Sequence, residues 1–73
     1  MDVSKETKIA ILKAELQILD NTIYQFTIKA RVAKDINDEP VMKNSADQLA
    51  VFHKYKDKYE ELLKAEETVQ ENI

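Results

Sequence analysis

The chain has 73 residues, 34% of them charged, a net charge of −3, one Pro and neither Gly nor Cys. Its length allows one domain at most, and the missing cysteines exclude disulfides, thiolate nucleophiles and thiolate zinc sites together. Without Gly there is no P-loop, no dinucleotide-binding fingerprint and no nucleophile elbow, because each needs a glycine where the backbone turns or meets a phosphate.

Small secreted domains are usually stapled by disulfides, so a Cys-free chain of this size points to a reducing cytoplasm. The segment Met1-Asp2-Val3-Ser4-Lys5-Glu6 is charged and lacks the apolar stretch of a signal peptide. The longest purely apolar run, Ile9 to Leu12, falls far short of the ~18 residues that span a bilayer. Charge is unevenly divided: residues 1–36 carry six bases and five acids, residues 37–73 five bases and nine acids. Opposite balances on the two halves favour folding one onto the other, and the acidic total argues against nucleic acid as a partner.

The first helix is expected from about Ser4, its N-cap, to Ile36, with Thr7 offering no capping-box partner. Its signal is a heptad seam. Ile9, Leu16, Ile23 and Ala30 fall seven apart, and Leu12, Leu19, Phe26 and Ala33 repeat the interval three residues later. That spacing puts all eight side chains on one stripe of a helix that packs lengthwise on another. Asp20-Asn21-Thr22 is the weak point, since these side chains compete for backbone hydrogen bonds. The seam passes through them in phase, so the helix is expected to continue.

Asn37-Asp38-Glu39-Pro40 is the one clear break. Asn37 can take the left-handed conformation that ends a helix, Asp38 or Glu39 can cap the next one, and Pro40 suits its first turn. A competing start lies at Ser45-Ala46-Asp47-Gln48, an S-x-x-Q capping box. Met42, Ala46 and Leu49 already follow helical spacing, which favours the earlier start. The second helix then runs from about 39 to 70, with Glu71-Asn72-Ile73 expected to fray. Its stripe is less regular: Met42, Ala46, Leu49, Phe52, Tyr55, Tyr59, Leu62, Leu63, Ala65 and Val69, with an apparent phase slip near Phe52.

So short a connection makes the helices antiparallel neighbours. Matching the stripes sets Ala33 opposite Met42, Phe26 opposite Leu49, Ile23 opposite Phe52, Leu16 opposite Tyr59 and Leu12 opposite Leu63. Small residues near the turn imply closest approach there. The first helix carries more than this seam, however. Ile11, Ile18 and Val32 form a second stripe, with Ile28 and Ile36 near its turn end and Gln25 in its polar middle. Seam and second stripe together cover roughly 160° of the helix, wider than the ~100° of a surface helix. One partner helix cannot cover that; a second hairpin can.

Possible chemical sites are few. His53 with Asp57 at i+4 offers two metal ligands and no third, and Ala50 stands where a Glu-x-x-His motif needs its Glu. Glu60-Glu61 and Glu66-Glu67 diverge as helical neighbours must, whereas acid–base catalysis needs carboxylates converging in a desolvated cleft. Lys54, Lys56 and Lys58 interleave with Tyr55 and Tyr59 and suggest a nucleic-acid patch, but the tyrosines continue the stripe and Asp57 interrupts the lysines. Asn21, Thr22 and Gln25 suit either a buried polar layer that sets register or an exposed gap.

The expectation is an all-α, antiparallel two-helix hairpin that dimerises into a four-helix bundle. It has no catalytic or metal site and no cofactor. Its interface would comprise Ile11, Ile18, Gln25, Ile28, Val32 and Ile36. The function expected is that of a self-associating structural or interaction module. The alternative is a regulatory protein, inhibitor or adaptor, using the second stripe on a different protein. A nucleic-acid-associated role ranks third, and no membrane is expected as partner.

Overall fold

A computed structural model describes residues 3–69, the side chain of Val69 excepted. It is a hairpin of two long helices, α1 (Lys5–Asp35) and α2 (Glu39–Val69), with no strand among the described residues. The molecule measures 56 × 18 × 17 Å. No described helix is long and apolar enough to cross a membrane. Gln70 and the tail expected to fray lie outside the described residues.

Ser4 caps α1 as expected: the Thr7 backbone N–H donates to Ser4 Oγ at 3.1 Å. Thr7 contributes more than its spacing suggested, since its Oγ1 lies 2.8 Å from Ser4 Oγ and the two hydroxyls share a hydrogen bond. The polar triplet leaves the helix intact because each member finds a partner without breaking the ladder. Gln17 Nε2 donates to Asn21 Oδ1 at 3.2 Å, Thr22 Oγ1 donates to the Ile18 carbonyl at 2.9 Å, and Asp20 pairs across to α2. The competition is local and is resolved locally.

The turn is built as the sequence indicated, with α1 ending at Asp35, one residue before the expected Ile36, and α2 starting at Glu39 as expected. Ile36 is the C-cap and lies outside the last helical turn, and Asn37 takes φ 61° in the left-handed region. The Asp38 N–H donates to the Ala33 carbonyl at 2.8 Å and the Asn37 N–H to the Lys34 carbonyl at 3.2 Å. These two bonds are a Schellman motif, with Asn in the place Gly usually takes. Asp38 then caps α2, its Oδ1 accepting from the Val41 N–H at 3.3 Å. The later start at Ser45 is not used; Ser45 is a mid-helix residue whose side chain faces α1.

All eight seam residues of α1 turn toward α2, half-buried except Ala33, which is 3% exposed. The seam of α2 departs from expectation. Val41, Met42, Ser45, Gln48, Leu49, Phe52, Lys56, Tyr59, Leu63 and Glu66 are the shielded positions. Taken as 42, 49, 56, 63 and 45, 52, 59, 66 they form an unbroken heptad. There is no phase slip at Phe52. Apolar residues hid the true phase because Ser45, Lys56 and Glu66 hold seam positions, while Ala46, Tyr55, Leu62 and Ala65 are exposed. Across the seam the Phe26 and Phe52 rings meet at 5.2 Å, and Lys56 reaches Asp20 at 2.8 Å.

Ala33 and Ser45, both near the turn, are the only two buried residues among those described. Every larger seam side chain stays partly open to solvent. A single hairpin has a seam but hardly a core.

Candidate interaction surface

The heptad assigns each remaining position to one flank of the hairpin or the other. Seen from the seam of α1, residues 8, 15, 22, 29 and 36 border one side and residues 13, 20, 27 and 34 the other. On α2 the matching borders are 41, 48, 55 and 62 on the first side, and 46, 53, 60 and 67 on the second. Two observations anchor this assignment. A groove on the first side is lined by Val3, Lys8, Ile11, Leu12, Leu62, Ala65 and Glu66, from both helices. On the second side Lys56 Nζ reaches Asp20 Oδ1 at 2.8 Å.

The two flanks differ in chemistry. Ten large apolar side chains are exposed among the described residues, and eight fall on the first flank or its outer edge. From α1 these are Ile11, Ile18, Ile28, Val32 and Ile36; from α2 they are Val51, Tyr55 and Leu62. Val3 joins them through the shared groove, which leaves Tyr24 as the outlier. The second flank presents Lys13, Asp20, Lys34, His53, Glu60 and Glu67, all exposed.

The structure therefore leaves Ile11, Ile18, Gln25, Ile28, Val32 and Ile36 exposed in the single chain and sets them along one flank. Ile28 sits at the back edge, beside Val32, and Ile36 at the turn. Sequence reading missed the contribution of α2. Val51 was not singled out, and Tyr55 and Leu62 were assigned to the seam. A signal existed: Val41, Gln48, Tyr55 and Leu62 are spaced seven apart beside the seam.

The charged candidates are dispersed. Lys56 points into the seam, and Asp20 holds its ammonium group by hydrogen bond and charge, which raises its pKa above the ordinary 10.5. Lys58 pairs with Glu61 on its own helix at 3.2 Å. Lys56 thus stands apart from Lys54 and Lys58, which line one open groove with Tyr55, Tyr59 and Leu62. His53 is exposed, Glu66 lies in the seam while Glu60, Glu61 and Glu67 face solvent, and no three His, Cys, Asp or Glu side chains converge among the described residues. A further groove, near the turn, is rimmed by Arg31, Lys34, Asp35, Glu39 and Lys43 over Ala30 and Met42, and is open to solvent.

Fold and surface define a long helical hairpin whose exposed apolar side chains gather on one flank, interleaved with Lys8, Glu15 and Lys29, while the other flank is mainly charged. Comparison with protein-family models, curated proteins and solved structures gives no match.

Proposed function

We propose that the protein is a small non-enzymatic interaction module that self-associates through its apolar flank, two hairpins forming a four-helix bundle. The observation that carries this reading is the segregation of exposed apolar side chains onto one flank of both helices. Ile11, Ile18 and Val32 lie ~130° from the centre of the α1 seam around the helix axis, on a face that α2 of the same hairpin leaves exposed. A second copy of the same hairpin fits that geometry without any other partner.

Areas support the same reading. The hairpin exposes 5961 Å², whereas a compact monomer of its 8.5 kDa mass would expose about 4,700 Å². The difference exceeds the about 800 Å² that each partner buries in a stable interface. A Cys-free chain suits assembly in a reducing cytoplasm.

Sedimentation equilibrium with circular dichroism tests the proposal. The wild type should be dimeric, and Ile18→Glu should lose the dimer and much of its thermal stability together, since folding and assembly share apolar area. Tyr24→Glu, which adds the same charge to an exposed residue off this flank, should change neither. A monomeric wild type that tolerates Ile18→Glu would reject the module as proposed. A monomer whose binding to a different protein is abolished by Ile18→Glu would transfer the flank to the regulatory role.

A further inference from the structure

We infer that the second copy stacks on the first about a two-fold axis running along the bundle, α1 of each copy on α2 of the other, with Glu15 of each paired to Lys58 of the other. The inference rests on the self-association proposed above and specifies its geometry. Two hairpins stacked flank to flank can be related in two ways. An axis along the bundle sets α1 on α2 of the other copy and keeps every residue at its own level. An axis across the bundle sets like on like with the levels reversed.

Those levels follow from the turn. Ile36 caps α1 and Glu39 begins α2, so stepping outward along both helices sets Ala30 level with Ser45 and Leu12 level with Leu63. Three contacts spread along the hairpin agree to within a residue. Near the turn Arg31 shares a groove with Lys43, midway Lys56 reaches Asp20 at 2.8 Å, and toward the open end Leu12 shares a groove with Leu62. Phe52 is then level with Ile23, three residues or about 4.5 Å of rise from Phe26. Their rings lean together across that step to 5.2 Å.

At these levels the flanks interlock when α1 faces α2 of the second copy. Ile11 falls between Ala65 and Leu62, Ile18 beside Tyr55, and Val32 and Ile36 either side of Val41. Gln25 and Lys29 stand either side of Gln48, so amide meets amide and the ammonium group gains a carbonyl acceptor. Thr22 is covered without stranding a donor, because its hydroxyl is spent on the Ile18 carbonyl. The flank carries four charges, Lys8, Glu15 and Lys29 on α1 and Lys58 on α2, and this arrangement has a place for each. Glu15, half-buried and outside both ion pairs of the described residues, lies two residues from the level of Lys58, about 3 Å of rise. Lys58 gives up little to take it, since its 3.2 Å pair with Glu61 is largely exposed and such pairs are weak. Lys8 sits at the open end, in the groove that Glu66 also lines. The charges of the outer edge, Asp35, Asp47, Lys54 and Glu61, are exposed and face away from the stack.

An axis across the bundle cannot place the same charges. α2 has no acid on this flank, so Lys58 would be covered without a counter-ion from the other copy wherever that axis lay. Covering a charge without a partner is strongly unfavourable. Setting Glu15 on Lys29 in this way also puts Leu62 against Asn44 and Lys58 against Gln48. Setting Glu15 on Lys8 overlaps only the open-end halves and leaves Val32 and Ile36 uncovered.

Charge exchange tests the arrangement. Glu15→Lys and Lys58→Glu each turn two symmetry-related pairs into like charges and should weaken the dimer about tenfold or more. An equimolar mixture of the two variants should restore wild-type affinity, because in the heterodimer both pairs are again opposite in sign. Rescue by mixing cannot come from a pair within one hairpin, since each chain keeps its own like charges. Sedimentation velocity reads the dimer fraction, and circular dichroism follows the helices; a variant that loses helix alone should regain it in the mixture. A wild-type dimer that either variant leaves unchanged, or whose variants associate no better mixed than alone, would overturn this arrangement and leave self-association standing. A wild type that sediments as a monomer at all concentrations would overturn both.

Discussion

The two helices meet along one seam but furnish it unequally. α1 supplies eight apolar side chains in strict succession, from Ile9 to Ala33, whereas α2 inserts Ser45, Lys56 and Glu66 among its apolar contacts. One clean stripe is enough to set the register of both helices, since a slip of one position would turn the α1 stripe into water. The polar residues of α2 are then tolerated where each has a local outlet. Ser45 is small, Lys56 reaches Asp20, and Glu66 lies toward the open end beside the groove of Ile11 and Leu62.

That inequality is open to experiment. The largest effect is expected on the α1 side: Leu19→Ala should cost about 2–3 kcal/mol, the lower part of the range for a buried Leu because the side chain is half-buried in one hairpin. A urea melt in which Leu19→Ala matches the wild type would show that the α1 stripe does not hold the seam. On the α2 side the sign should reverse. Ser45 is 0% exposed and its Oγ has no hydrogen-bond partner, so Ser45→Ala should raise stability by about 1 kcal/mol, relieving a buried unsatisfied hydroxyl and improving helix propensity. Loss of stability in that variant would mean that the hydroxyl is satisfied and part of the seam.

The smallest effect concerns Lys56. Its raised pKa, caused first by the hydrogen bond to Asp20 and then by that residue's charge, means that the folded state binds the lysine proton more tightly than the unfolded state does. The resulting stabilisation is fully present below the ordinary 10.5 and disappears as pH rises through the higher folded value. Thermal melts of wild type and Lys56→Met should therefore differ by a constant amount at neutral pH and converge at alkaline pH. A gap that persists above that value would assign the contribution to the lysine stem and not to its charge.

Legibility followed the same division. The α1 seam, the Ser4 cap, the Asn37 turn and the Asp38 start were all readable, because each is written in local spacing or local hydrogen-bonding chemistry. So was the apolar stripe of Ile11, Ile18, Ile28, Val32 and Ile36. The α2 seam was not, because pattern reading follows hydrophobicity and three of its seam positions are polar. Following Tyr55 and Leu62 into the seam produced a phase slip that does not exist and concealed their place on the flank.

Sequence alone determined that this chain forms two helices joined by one tight turn, since periodicity, capping and a left-handed Asn act within a few residues of themselves. Only the tertiary structure decided which residues face each other. Register depends on contacts between positions far apart in the chain, such as Phe26 with Phe52 and Asp20 with Lys56. From that register alone follows the alignment of the exposed apolar side chains of both helices on one flank. A single helix can be read from its own spacing; a surface shared by two needs the level at which they meet.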